Sequence, residues 1–399
     1  MAIDTAAALS WYLRNRDRSR ALFEMLPEDV YYERPIDLRH PVVFYDGHLP
    51  GFSFNTLVKK ALGGPSIDAR LEELFARGID PDESHSLHRR SAEGAKAWPG
   101  RDTVRAFVAE ADARVIDALK NDAAGPEPVF TILEHEAMHQ ETLLYMWHRL
   151  PFDQKKRPAG YSPVVGGAPP RQEWIEIPAG PATLGVDTAA VPFAWDNEMP
   201  SYGVDVPSFA IQKHDVTNAQ YLEFVEHGAP APLFWEKVDG RWHWRGMFER
   251  IPLPLAWPVY VSQAEASAYA QWRGWRLPTE AEYQRAAAGA TPGVCDFSSW
   301  DPEPAGSRPK TSSRYGVEDL VGNGWEWTST PFAPFPGFRP SVSYPEYSAD
   351  FFDGEHFVMK GASPATAKEL IRPTFRNWFR PKYPYVYATF RCAGDHTHR

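Results

Sequence analysis

Cysteine is nearly absent: Cys295 and Cys392 are the only two in 399 residues. A disulfide-dense secreted fold of this size would carry more, so a reducing compartment, the cytoplasm, is expected. Long apolar runs are also missing. No stretch of about 18 apolar residues occurs, so no membrane-spanning helix is expected. The opening MAIDTAAALSWYLRNRDRSR mixes acids and bases around no apolar core and does not read as a signal peptide. Nor is there a basic excess. The net charge is −10 and the pI about 5.7, which argues against nucleic acid or an anionic membrane as partner.

Aromatics and proline are plentiful instead, with 15 Trp and 38 Pro, most of them after residue 150. The length suits two domains, each with its own core. Helical apolar periodicity marks residues 4–26, 101–120 and 129–150. A fourth helix is expected over 41–62, distorted at Pro50 and Gly51. Together they predict an up-down bundle. The Pro/Gly-rich stretch PFDQKKRPAGYSPVVGGAPPRQ then reads as a linker. Beyond it, short alternating runs such as WIEIPAGPATLGV and helical stretches near 217–227 and 262–273 predict an irregular α+β domain. The expected layout is residues 1–155, a linker over 156–172, and a second domain over 173–399.

The densest chemistry is HEAMHQE, residues 135–141. Positions i and i+4 of a helix lie about 40° apart around the axis, so His135 and His139 share a face and could hold one divalent metal. H-E-x-x-H also suggests a zinc protease. That site needs a third ligand from a downstream H-x-x-G-x-x-H or a Glu on a later helix. The chain continues QETLLYM, and no Glu lies between Thr142 and Gln172. Glu141 falls about 200° around the helix from His139, so it can serve only behind the site or in the bundle core. The third ligand must come from another helix. His48, in FYDGHLPGF, is the first candidate, with His85 and His88 in SHSLHRR as competitors. Three imidazoles suit Zn, Cu or Fe(II).

A helical bundle with an isolated His and a later H-x3-H-x-E resembles the DinB-type domain of the ergothioneine sulfoxide synthases, the EgtB-like family. WRLPTEAEYQRAA (275–287), GVEDLVGNGWEWT (316–328), VMKGASPAT (358–366) and TFRCA (389–393) resemble the landmarks of the formylglycine-generating-enzyme, or sulfatase-modifying-factor, fold. The resemblance implies a fold class of α plus α+β. A DinB-like four-helix bundle would precede a C-type-lectin-like domain rich in irregular structure. It implies a nonheme Fe(II) enzyme with His48, His135 and His139 as ligands. The substrates would be hercynine, the betaine of histidine, and O2, with a chalcogen joined to imidazole C2. FRNW (375–378) resembles the family's substrate loop. It implies Trp378 and Phe379 around the trimethylammonium group and Asn377 on an imidazole N–H. Arg89 and Arg90 would anchor the thiol co-substrate. Trp325 and Trp327, in a motif shared with relatives of other chemistry, are expected to be structural.

Three departures bear on the donor. The segment around His48 keeps little of the family's S-P-x-x-W-H-L-x-H-x-x-W-F beyond the histidine. Phe379 stands where members that use γ-glutamylcysteine carry an acid. A catalytic tyrosine is expected within 337–348, where alignment falls near Phe338; Tyr344 and Tyr347 are the tyrosines at hand, and Tyr344 is taken as the acid. FYDGHLP looks most like the selenoneine synthase (SenA) branch, which implies a selenosugar donor. The alternative is cysteine or γ-glutamylcysteine. Two other classes compete. A formylglycine-generating oxidase needs a C-x4-C copper pair, but Tyr387 stands five residues before Cys392. A non-catalytic binding module would leave the three histidines without a purpose.

Overall fold

The computed structural model describes residues 4–76, 98–121 and 124–395. The chain divides into two compact units. One comprises Met1–Pro158 with Val342–Tyr344; the other comprises Ala159–Ser341 with Pro345–Arg399. No helix among the described residues is long and apolar enough to cross a membrane.

The first unit is helical. Helix α1 (Thr5–Glu24) starts where the Asp4 carboxylate accepts from the Ala7 amide, which satisfies one orphan donor of the first turn. Helix α2 (Val42–Ser53) is almost wholly buried and contains Pro50. The helix is distorted after Pro50 and Gly51 rather than broken. Pro50 removes one amide from the ladder, and the chain continues into a π-helical stretch over Phe54–Ala61. The short α3 (Ala69–Leu74) is capped by Asp68, which accepts from the Arg70 and Leu71 amides. Helix α4 (Arg101–Lys120) buries Val104, Phe107, Ala111, Val115 and Leu119, the periodic face visible in its sequence. Helix α5 (Pro126–Arg149) begins with proline at its first position, where no amide partner is needed.

A buried polar network locks α1 onto α5. Asn15 Nδ2 donates to the Leu133 carbonyl at 2.8 Å, and Gln140 Nε2 donates to the Asn15 carbonyl at 3.0 Å. Between them Arg16 Nη1 meets Glu136 Oε1 at 2.9 Å, and Ser19 Oγ donates to the same oxygen at 2.7 Å. Burial pushes the Glu136 carboxyl above its ordinary range, while the Arg16 guanidinium opposes the shift. These contacts fix both the rotation and the register of α5.

The second unit is built from short strands. β1 (Trp174–Ile177) and β12 (Ala393–Gly394) flank β4 (Phe209–Gln212). β2 (Gly180–Leu184) pairs with β3 (Tyr202–Val206), and β5 (Trp235–Val238), β6 (Arg241–Arg245) and β7 (Arg250–Pro252) form a meander. The remaining sheet runs in the order β10 (Asn377–Phe379), β9 (Phe357–Ala362), β8 (Gly324–Pro331), β11 (Ala388–Thr389). Helices α6 (Asn218–Glu226), α7 (Gln263–Trp272) and α8 (Glu280–Ala286) all open with reciprocal capping boxes. Trp325 and Trp327 on β8 are buried, with Trp327 Nε1 donating to the Val261 carbonyl at 2.9 Å. Strand alternation turns Glu326 the other way, into a bidentate pair with the buried Arg391 at 2.6 and 2.8 Å. GNGWEWT therefore serves the core of this unit.

Candidate metal centre and substrate strand

Helix spacing builds the first site. His48 lies four residues after Phe44 and four before Phe52, so all three share one face of α2. Phe44 stacks on His48 at 5.0 Å, and Phe52 stacks on His135 at 3.5 Å between ring centroids. His135 and His139, one turn apart on α5, present the opposing face. One nitrogen from each of His48, His135 and His139 lies within 4.8 Å of the other two. His48 Nε2 stands 3.2 Å from His139 Nε2. Two nitrogens each about 2.1 Å from one ion, at angles between octahedral and tetrahedral, would be about 3.0–3.4 Å apart. The His48–His139 spacing thus suits two ligands of one ion, and His135 brings a nitrogen within 4.8 Å of both.

Their protonation fits as well. His48 Nδ1 lies 2.7 Å from the Phe75 carbonyl, which can only accept, so Nδ1 carries the proton and Nε2 is bare. Burial holds the His48 imidazole down to about 4. Burial lowers His135 too, reinforced by His139 and His48, and lowers His139, reinforced by His48 and Arg39. All three are neutral near pH 7, the form that binds metal. Nδ1 of His135 and of His139 are buried with no hydrogen-bond partner among the described residues. Among the described residues no carboxylate belongs to the cluster. Glu141 is buried but outside it. Glu136, the residue a zinc protease would use as base, is bound to Arg16 and Ser19 instead.

The Phe75 carbonyl is invisible in the sequence, because a backbone acceptor leaves no residue-type signal. It yields a prediction. A Cβ at Gly47 would lie 2.5 Å from two ring carbons of Phe75, which is buried and has little room to move. Gly47→Ala should cost about 1–3 kcal/mol in apo stability. It should also loosen the His48 anchor and weaken metal binding about 10–100-fold. Thermal unfolding and metal titration read the two effects separately. An unchanged metal affinity would remove the Phe75 carbonyl from the site.

Tyr344 belongs to the unit that carries the three histidines. Its ring lies 5.1 Å from Phe52 and 6.2 Å from His135, and the neighbouring Ser343 amide donates to Glu127 Oε1 at 2.9 Å. Tyr347 lies in the other unit, which the chain re-enters at Pro345, and stacks on Trp195 at 3.9 Å. Arg89 and Arg90, with the competing ligands His85 and His88, lie outside the described residues.

The substrate candidates form strand β10, paired antiparallel with β9. Successive side chains of a strand face opposite ways. Trp378 stacks on Phe332 at 4.2 Å with the planes 5° apart, and Tyr347 and Phe351 lie 5.1 and 5.7 Å from it. Phe379 stacks on Tyr383 at 4.9 Å. Strand alternation puts Trp378 and Phe379 on opposite faces, and Phe332, Tyr347 and Phe351 are rings beside Trp378. Asn377 Oδ1 accepts from the Trp378 amide at 2.9 Å. Asn377 shares its face of β10 with Phe379, opposite Trp378.

Cys392 is fully buried, and burial pushes its thiol well above the ordinary range. Tyr387 stands buried where a second copper-binding cysteine would be. A thiolate-based oxidase needs the opposite environment.

Residues 163–396 match the sulfatase-modifying factor enzyme 1-like domain. Hercynine oxygenase of Mycolicibacterium smegmatis is 34% identical over 342 residues, covering 73% of this chain and 77% of that protein. Hercynine oxygenase of Mycolicibacterium thermoresistibile is 32% identical over 379 residues, covering 82% and 81%. Ergothioneine biosynthesis protein 1 of Schizosaccharomyces pombe is 30% identical over 423 residues, covering 93% of this chain but 54% of that longer protein. The chain belongs to the hercynine oxygenase family, with a sulfatase-modifying factor enzyme 1-like domain as its second half.

Proposed function

We propose that the protein is an O2-dependent enzyme that joins sulfur to imidazole C2 of hercynine at an iron held by His48, His135 and His139. The carrying observation is the buried cluster of three neutral imidazoles, supported by the hercynine oxygenases that this chain resembles. Three ligands leave coordination positions open, and Fe(II) there would supply the one-electron chemistry that O2 requires. For a thiol donor the stoichiometry closes. The imidazole C–H, the S–H and O2 give a C–S(=O) sulfoxide and one water.

The chain's own groups have separable tasks. Trp378, with Tyr347 and Phe351 beside it, offers π faces to a trimethylammonium group that can form no hydrogen bond. Tyr344, beside His135, delivers a proton at the metal centre. The donor is a thiol of the cysteine or γ-glutamylcysteine type, in keeping with a relative named for ergothioneine biosynthesis. A selenosugar is the second reading, favoured by the altered segment around His48 and by Phe379 at the position where an acid would meet the thiol's amino group.

Calorimetric titration tests the substrate. The holoenzyme should bind hercynine at least about tenfold more tightly than histidine, whose ammonium is smaller and strongly hydrated. Trp378→Ala should remove that preference. Equal affinities for hercynine and histidine in the wild type would contradict the assignment.

A further inference from the structure

The segment that leads into β10 is held by charged groups that water hardly reaches. Glu198 accepts from Arg372 at 2.9 and 2.5 Å and from Thr374 Oγ1 at 2.6 Å. Lys360 Nζ donates to the Pro373 and Phe375 carbonyls at 2.8 Å each and stands 3.9 Å from Glu280. Arg376 meets Glu280 in a fork, at 2.9 and 3.1 Å, and donates to the Asn197 and Ala333 carbonyls at 3.0 and 3.1 Å. Every position from Arg372 to Arg376 is thus tied down. Glu198, Glu280, Lys360 and Arg376 are all buried. Burying so many charges costs desolvation that apolar packing would avoid. What the arrangement secures is one conformation of the backbone just before Asn377 and Trp378.

The network also reaches the indole. The Arg376 guanidinium lies 5.0 Å from the Phe332 ring centroid and 4.1 Å from that of Phe335. Phe332 is itself the ring stacked on Trp378. Glu280 is shared by two cations, Arg376 at 2.9 Å and Lys360 at 3.9 Å.

We propose that Arg376, anchored by Glu280 and by the Asn197 and Ala333 carbonyls, is a specificity-positioning residue that acts through Phe332 to fix the plane of Trp378 for a quaternary ammonium group. The inference rests on the reading of Trp378 under the proposed function. A cation–π contact depends on where the charge stands over the ring, so a tilt of the indole weakens it. Arg376 touches no substrate in this scheme.

The test uses the holoenzyme and two variants. Arg376→Lys keeps the charge but loses the fork and the planar stack. Phe332→Leu removes the intervening ring but leaves every charged side chain and its hydrogen bonds in place, so it remains informative if Arg376→Lys fails to fold. Hercynine and histidine are titrated into each, with iron content and thermal midpoint measured alongside. The expected result is about a tenfold loss of hercynine affinity in folded variants, with histidine affinity and iron content close to wild type. A merely structural role would lower both affinities together or neither. Folded variants that keep the wild-type ratio of hercynine to histidine overturn the inference alone. A wild type with no preference for hercynine overturns the functional reading and this inference with it.

Discussion

Replacing His139 with alanine should leave the protein folded but unable to hold iron or turn over. His139 is only partly buried, and removing it relieves the close approach to His48 Nε2. Two imidazoles would remain, His48 on α2 and His135 on α5, too few to retain an ion against dilution. The loss should exceed the roughly 10–100-fold that follows when only a hydrogen-bond partner of a ligand is removed. Iron analysis after desalting, activity, and the thermal midpoint of the apoprotein separate the possibilities. Stoichiometric iron or retained activity in a folded His139→Ala protein would refute the assignment. The same substitution at Glu141 should leave iron content unchanged, since that carboxylate lies outside the cluster.

Arg391→Ala should be the most damaging change in the second unit. Arg391 is fully buried, bonded to Glu326 on β8 and to Asp215, and donates to the Gln212, Lys213 and Glu318 carbonyls. Burial already raises the Glu326 and Asp215 carboxyls, and only Arg391 opposes this at both. Removing it leaves two buried acids facing each other. Breaking such a pair costs about 3–5 kcal/mol, or roughly 6–20 °C in the melting transition of a unit this size. Replacing Arg391 and Glu326 together with apolar residues should recover part of that loss, because the uncompensated charge is what destabilises. A melting midpoint within about 2 °C of wild type for Arg391→Ala would show that the pair is not needed.

Much of the metal centre is legible in the residues. His135 and His139 stand out because a spacing of four puts them on one helix face, and neither needs tertiary information. His48 is different. Its aromatic surroundings and the nearby Pro50 and Gly51 put it ahead of His85 and His88, and the family resemblance strengthens that order. The Phe75 carbonyl that fixes its tautomer comes from a segment 27 residues away and carries no signature at all. The partners of Trp378 escape a sequence reading for a related reason. Adjacent aromatics look like one patch in a sequence, yet a strand sends Trp378 and Phe379 to opposite faces. Helix boundaries read closely where apolar periodicity is clean, as over 101–120. They are less clear after Pro50, where the structure answers the missing amide with a π-helical stretch that no residue pattern announces. The charges around Arg376 and Arg391 lie far apart in the chain, so only the fold shows that they meet.

The most direct test is a product analysis under controlled donor supply. Fe(II)-reconstituted enzyme is given hercynine anaerobically, then air, with cysteine, γ-glutamylcysteine, a thiosugar and a selenosugar offered separately. Mass spectrometry reads the substitution at imidazole C2. The account predicts a hercynine–sulfur adduct at C2 with cysteine or γ-glutamylcysteine, dependent on iron and O2 and absent in His139→Ala. Transfer from the selenosugar instead would keep the metal centre and hercynine but assign the donor to the second reading. Hercynine recovered unchanged with all four donors would contradict the account at its centre.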